Sequence, residues 1–372
     1  LLGAIATALA ALCAPLGRVA GWLVWPFLRY SVLVVEALGD LPGAAVVVPR
    51  LNPTLVWGLY ALAIAWLVKR RPRPIKLPAP DRRAAAELRR RSLLPAALAL
   101  TALLTWSAVG TLPDHRLHAY VLDIGQGDAI LLRTPGGRTV LVDGGPDPVL
   151  LSARLGRILP FWLRRIDVLV VTHADQDHLG GLLAMVERYR VGHIIEPIAM
   201  AEGPLREQWD ALVTASGVPV ERLARGAEIA LGEGLRLQVL NPPGYLSPGP
   251  TLDGNAASLV LLANLGGWRM LLTGDIDALT EAELVATGQP LQAAILKVAH
   301  HGARTSTSQT FLEAVDPQLA LISVGAHNGY GHPTDETLAR LAATDARVYR
   351  TDRDGTIEVI TDGEHCWVRC AH

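Results

Sequence analysis

The sequence predicts a helical membrane segment followed by a layered α+β domain. Three observations carry this. Charge is divided: residues 1–91 hold 13 of the 34 basic side chains and 4 of the 35 acidic ones, a balance of +9, and residues 92–372 carry −10. All 11 His lie beyond residue 114. Long uncharged runs crowd the first part, whereas short β-rich runs ending in Gly, Asp or His fill the second.

The chain starts with Leu inside an apolar run, so the expectation is a piece of a longer protein. A charged n-region and a small-residue cleavage site are lacking, which argues against a signal peptide. Residues 1–17, 53–68 and 92–112 are uncharged; the first reads as the end of a spanning helix and the last is long enough to cross a bilayer. The 53–68 run is short, and a buried core helix is its rival reading; its Trp and Tyr and the closing Lys69-Arg70-Arg71 favour a span. Residues 19–50 mix apolar runs with Arg29, Glu36, Asp40 and Arg50 and suit the interface or packing against other helices.

Between the last two runs, residues 69–91 hold 10 basic and 2 acidic residues. A nucleic-acid-binding tail is the rival reading, but the flanks are apolar. A basic loop between spans faces the cytoplasm, so the chain after residue 113 should lie outside it. The expected division is therefore a multi-pass inner-membrane domain, 1–112, and an extracytoplasmic domain, 113–372. Three Cys (Cys13, Cys366, Cys370) are too few for a disulfide scaffold, and the last two, four residues apart, are too distant to bridge if both sit on one strand.

In the second part "HAYVLDIGQGDAILLRT" (118–134) reads as two strands around a Gly-rich turn, and "RTVLVDGG" (138–145) as a strand ending in Asp143. "IDVLVVTH" (166–173) is an apolar strand, and "LGGLLAMVERYR" (179–190) has helical spacing. "WRMLLTGD" (268–275), "AAILKVAHHG" (293–302) and "PQLALISVG" (317–325) are further strands that end in polar clusters. "DETLARLAATDA" (335–346) predicts a helix, and "VYRTD" and "GTIEVIT" predict closing strands. Buried strands that release reactive residues at their carboxyl ends, with helices between, define a layered domain.

In "THADQDHLGG" (172–181), His173, Asp175, Asp177 and His178 crowd into six residues. Burying such acids and imidazoles together without a cation costs several kcal/mol, so divalent metal is expected there. Four ligands do not fill two coordination spheres. Asp275 and His300 or His301, all at strand ends, are the candidates for the rest. Singly these are weak signals: a strand-end Asp is commonly a turn former or cap, and "GQGDA" and "VDGG" alone read as turns.

With "VLVDGG", "LLTGD" and "HHG", the cluster resembles the metallo-β-lactamase superfamily. "LDIGQGDAILL", "NAASLVL", "LLTGDI", "LKVAHHG" and "YGHP" together resemble the C-terminal part of ComEC-type competence proteins, membrane channels for DNA uptake. The resemblance implies an αββα sandwich with a dinuclear site at one edge. It implies His173 and Asp175 on a first metal, Asp177, His178 and one of His300 and His301 on a second, and Asp275 bridging. His300, the first of the pair past the strand, is the preferred one. Two departures from the common pattern matter. Asp175 stands where a His is usual, and the usual third His is absent; His193 is far from its place, while Asn255 or Ser258 is near it. Fewer imidazoles shift the expected pair of ions from Zn²⁺ towards Mn²⁺ or Mg²⁺, with Mn²⁺ favoured.

The expected activity is metal-assisted phosphodiester hydrolysis, with Asp177 and His332 as catalytic residues; His332 would contact phosphate or protonate the leaving group, or else merely support its loop. Lys297 reads as structural, and Arg304, Thr305 and Ser306 as weak phosphate-binding candidates. The resemblance implies DNA as substrate, one strand being degraded while the other is imported, with the lipid bilayer, an N-terminal channel region and other uptake proteins as partners. The −10 balance argues against tight non-specific DNA binding. Two rivals are a hydrolase of small phosphoesters or lactones and a noncatalytic domain that gates the channel.

Overall fold

The computed structural model describes residues 18, 21, 22, 25, 26, 29, 30, 113–160, 163–246 and 253–371. The chain divides into two compact units, Leu1–Leu93 and Leu94–His372. In the first, the described residues are helical, with Trp22, Trp25 and Tyr30 exposed. No helix among the described residues is long and apolar enough to cross a membrane. The apolar runs 1–17, 53–68 and 92–112 and the basic loop 69–91 lie outside the described residues.

Alternating apolar residues make the second unit's strands two-faced, and the two faces define its layers. One sheet has eight strands. They are β1 (Leu117–Val121), β2 (Ile130–Arg133), β3 (Thr139–Val142), β4 (Arg165–Val170), β5 (Arg190–Pro197), β6 (Val220–Leu223) and, from the chain end, β14 (Ile357–Thr361) and β15 (Cys366–Cys370). Their spatial order is β15-β14-β1-β2-β3-β4-β5-β6. The other sheet has seven: β7 (Glu228–Gly232), β8 (Leu235–Asn241), β9 (Val260–Leu265), β10 (Trp268–Leu272), β11 (Ile295–Lys297), β12 (Leu319–Ile322) and β13 (Arg347–Arg350), in that spatial order. Both sheets run antiparallel first, then parallel: β3 to β6 in one and β10 to β13 in the other. The sequence shows no repeat, yet the architecture has two similar halves.

On β3, Val140 and Val142 face the other sheet, where they share a core with Leu237, Leu261 and Met270, while Leu141 faces outward. That outer face packs on α1 (Pro148–Ile158), α3 (Leu182–Arg188) and α4 (Pro204–Ser216) through Leu151, Leu155, Met185 and Trp209. The second sheet is covered by α5 (Ala278–Ala286), α6 (Gln309–Val315) and α7 (Asp335–Ala342) through Leu284, Phe311, Leu312 and Leu341. The order is helix, sheet, sheet, helix, as the resemblance implies. Each fully buried Leu or Phe contributes about 1.5–3 kcal/mol.

Several elements carry start signals that periodicity alone passes over. Asp147 caps α1 by accepting from the Val149 and Leu150 N–H groups, and Pro148 opens the helix. Asp277 and Ser308 cap α5 and α6 in the same way. The helix expected from residue 179 is interrupted: α2 (Gln176–Leu179) is one turn, and α3 starts after Gly180-Gly181. Between the two expected closing strands lies a short helix, α8 (Thr351–Asp354). Cys366 and Cys370 share β15 and are free thiols.

Candidate metal centre

Parallel strands leave their carboxyl ends on one edge, and β3, β4, β10 and β11 deliver Asp143, His173, Asp275 and the His300-His301 pair there. The Leu259 N–H donates to the Thr172 carbonyl (2.9 Å), tying the segment before β9 to the end of β4 at this edge. The turn after β3 is glycine because space demands it: a Cβ on Gly144 would overlap Leu182, and one on Gly181, which packs against this turn, would overlap the Gly144 carbonyl. A Cβ on Gly127, whose φ is +121°, would overlap the Asp177 carbonyl. "GQGDA" and "VDGG" are therefore turns that seat the metal-ligand segment.

Three buried imidazoles converge. His178 Nε2 and His301 Nε2 each lie 3.3 Å from Asp275 Oδ2, and His301 Nε2 lies 3.3 Å from Asp177 Oδ2. His173 packs ring against ring with His178, centroids 4.1 Å apart. The other ring nitrogen of each is engaged. His178 Nδ1 is 2.8 Å from Asp143 Oδ2, and His301 Nδ1 is 2.9 Å from the Ser323 carbonyl. His173 Nδ1 is 2.9 Å from Thr172 Oγ1, whose hydroxyl donates to Asp143 Oδ2 at 2.6 Å. These acceptors hold a proton on each Nδ1 and turn each Nε2 inward, where its lone pair is free for a metal once the ring is neutral.

Those Nε2 atoms and Asp275 Oδ1 are buried with no hydrogen-bond partner. An orphaned buried acceptor is costly, and a cation satisfies several at once. The 3.3 Å separations also match the distance of about 3.0–3.4 Å between neighbouring ligands of an ion with bonds of about 2.0–2.2 Å. The residues thus fit divalent metal. Asp177, His178, His301 and Asp275 form one position; His173, with Asp275 and the more distant Asp175, forms the other. Asp175 is exposed and 3.8 Å from His173 Nε2, so this second set is looser.

The electrostatics follow. Burial by itself would raise the Asp275 carboxyl, but His178 and His301 outweigh it and hold it well below the usual range. Burial is likewise overcome at Asp177, which His301 and His178 hold low. Burial would lower His178 and His301; the charge of Asp275, with Asp143 for one and Asp128 for the other, raises both well above the ordinary imidazole value. His173 is lowered by burial and by His178.

The structure turns His301, not the preferred His300, into the cluster. The reason is backbone conformation: His300, His301 and Gly302 take successive left-handed φ values of 50°, 53° and 83°. The ring of His301 is thereby swung inward, while that of His300 stays partly exposed with Nε2 3.9 Å from Asp275. His332 stands at the rim, its ring 5.7 Å from that of His300. Ser306 is buried and bonds the carbonyls of Ala299 and Ala303, so it braces the His loop and is not available to phosphate. His193 lies on β5 beside Glu221, apart from the cluster, and the Ser258 hydroxyl accepts from the Asp275 N–H at 3.4 Å.

Sequence reasoning passed over Asp128 and took Lys297 as structural. Both are buried; Lys297 Nζ sits 2.5 Å from Asp128 Oδ2, and Asp128 Oδ1 lies 3.3 Å from His301 Nδ1. A signal was present: a lone Lys in the apolar run "AAILKVA" requires a buried counter-charge.

The metallo-beta-lactamase superfamily model matches residues 122–327. ComE operon protein 3 of Bacillus subtilis (strain 168) is 32% identical over 256 residues, which is 64% of this chain and 32% of that protein. Competence protein ComA of Neisseria gonorrhoeae is 31% identical over 252 residues, 66% of this chain and 32% of that protein. The chain spans about a third of the length of these relatives and matches the C-terminal part of ComEC-type competence proteins. Among solved structures, the metallo-beta-lactamase fold protein YhfI of Bacillus subtilis aligns over 68% of this chain and 99% of its own, with a TM-score of 0.45 and 10% identity.

Proposed function

The chain belongs to the metallo-beta-lactamase superfamily, and on that premise we propose that residues 113–372 form a divalent-metal-dependent phosphodiesterase that degrades DNA during its uptake. The observation that supports this most is the convergence of the buried, unpartnered Nε2 atoms of His178 and His301 on Asp275 and Asp177, with that of His173 beside His178 and Asp275. A pair of divalent ions at such a site supplies a nucleophile at neutral pH and offsets charge on the scissile phosphate.

The chain's own residues have distinct tasks. Asp143 and Thr172 aim His178 and His173, and Ser323 and Asp128 aim His301. Asp177, with a side chain 30% exposed, is the carboxylate that faces incoming water and substrate. His332 has its Nδ1 buried and unpartnered, which leaves Nε2 as the working atom of the ring. Burial, with His300 and His301, holds its pKa below the ordinary value, so at neutral pH the ring is neutral and would offer a hydrogen bond from Nε2–H to a phosphate oxygen rather than transfer a proton.

One of the two relatives is a competence protein by name, and under the charge rule the basic loop 69–91 supports a position for the hydrolase outside the inner membrane. There it would act on the strand that is not imported, delivered by channel and partner proteins. The looser set around His173 favours a second reading, a noncatalytic gate, if one ion never binds.

The test uses the full chain in detergent with Mn²⁺, Zn²⁺ or Mg²⁺ and end-labelled single-stranded and duplex DNA. The expected result is divalent-dependent cleavage, lost on chelation and in Asp177→Asn. Intact DNA with turnover of a small diester would shift the substrate class; no turnover with any ion would leave the gate. Orientation is checked in intact cells, where a membrane-impermeant maleimide should reach the exposed Cys366.

A further inference from the structure

Six aromatic rings run in a row from the metal centre to solvent. Centroids are 4.1 Å apart for His173 and His178, 5.3 Å for His178 and His301, and 6.3 Å for His301 and His300. The row continues through His332, 5.7 Å from His300, to Tyr330, which stacks on His332 at 5.7 Å with 23° between planes. The last ring is 72% exposed.

The loop that carries it is braced. Asn328 Nδ2 donates to the carbonyls of Gly325 (2.8 Å) and His332 (2.7 Å), and Asn328 Oδ1 accepts from the N–H groups of Tyr330 (3.2 Å) and His332 (3.0 Å). The Thr334 N–H donates to the Gly302 carbonyl at 3.0 Å, which fastens the loop to the segment bearing His300 and His301. Gly329 and Gly331 flank the ring with open space around both. A chain that orders a loop with so many side-chain bonds, yet holds a phenol ring out in water, keeps one ring face available beside its reactive centre.

We propose that Tyr330, backed by His332, is a stacking platform for an unpaired nucleobase next to the phosphate being cleaved, so that the site selects single-stranded DNA or frayed ends. This rests on the phosphodiesterase reading and names its substrate class. Bases in a duplex have both faces covered by their neighbours, whereas an unpaired base offers one. The −10 balance of residues 92–372 weakens attraction to the phosphate backbone, and stacking supplies affinity that does not depend on charge.

The test measures binding by the full chain, metal-chelated, of a fluorescent oligothymidylate and of an oligonucleotide of equal length whose central residues are abasic. Cleavage of both in Mn²⁺ is followed in parallel. The expected result is a preference for the natural strand of roughly 5- to 150-fold that changes little with salt, collapses in Tyr330→Ala and survives in Tyr330→Phe and Tyr330→Trp. Equal affinity of the native protein for the two strands, or a preference undiminished in Tyr330→Ala, overturns the proposal. Cleavage of both strands without a preference would remove the platform and leave the hydrolase. A Tyr330-dependent preference without cleavage would keep the platform and remove the hydrolase.

Discussion

Asp143 shows how much a single carboxylate organises here. Its Oδ2 meets His178 Nδ1 and the Thr172 hydroxyl, which in turn meets His173, so one side chain aims two imidazoles into both metal positions. Asp143→Ala should weaken metal binding about 10- to 100-fold while the fold persists, as read by calorimetric titration with Mn²⁺ or Zn²⁺. Lys297 has a different kind of role. Its removal strands Asp128 as an unpaired buried charge beside His301, so Lys297→Met should cost about 3–5 kcal/mol in denaturant unfolding. Lys297→Met combined with Asp128→Asn should recover much of that loss; a double variant no better than the single one would show the pair is not the cause. The ligand types at 173–178 were legible in sequence because their crowding has no ordinary explanation. Asp143 and Asp128 were not, since each lies in an otherwise common turn motif and gains meaning only from a distant partner, and Lys297 in its apolar run shows that a buried counter-charge is needed but not which residue supplies it.

At the level of elements, turns set the chemistry. Strand periodicity foretold β4, β10 and β11 and hence the edge at which they deliver ligands, but not which of two adjacent His points inward. The left-handed backbone at 300–302 decides that, and nothing in the letters "HHG" reveals it. His301→Ala should abolish tight binding at one of two metal positions, whereas His300→Ala should retain metal stoichiometry; elemental analysis after dialysis distinguishes them. Gly127→Ala places a methyl against the Asp177 carbonyl in a backbone region unfavourable to Ala, and a stability loss of roughly 1–3 kcal/mol is expected by thermal melting.

On the scale of the whole domain, protons and metal compete for the same atoms. His178 and His301 have raised pKa values in the metal-free protein. The stability they contribute is full below the ordinary imidazole value and is lost as pH rises through the raised ones. His173, lowered, acts in the opposite sense, one group against two. Asp275 and Asp177, held low, contribute above the ordinary carboxylate value and lose that contribution only in acid. The chelated protein should therefore melt lower as pH goes from about 6 to about 8.5, while the Mn²⁺- or Zn²⁺-loaded protein should melt higher, because loading releases those protons. Melting curves that shift the same way with and without metal would contradict this assignment.

Composition and local pattern by themselves determined the split between an apolar basic segment and a His-bearing layered domain, the strands of that domain, and the need for cations at 173–178. These are properties of near neighbours along the chain, where hydrophobic period and charge density act directly. Only the tertiary structure decided that His301 enters the centre, that Asp143 and Asp128 orient its imidazoles, and that Tyr330 stands at the end of the ring row. Those outcomes depend on residues far apart in sequence meeting at one sheet edge, where packing and the direction of a few left-handed turns set the geometry.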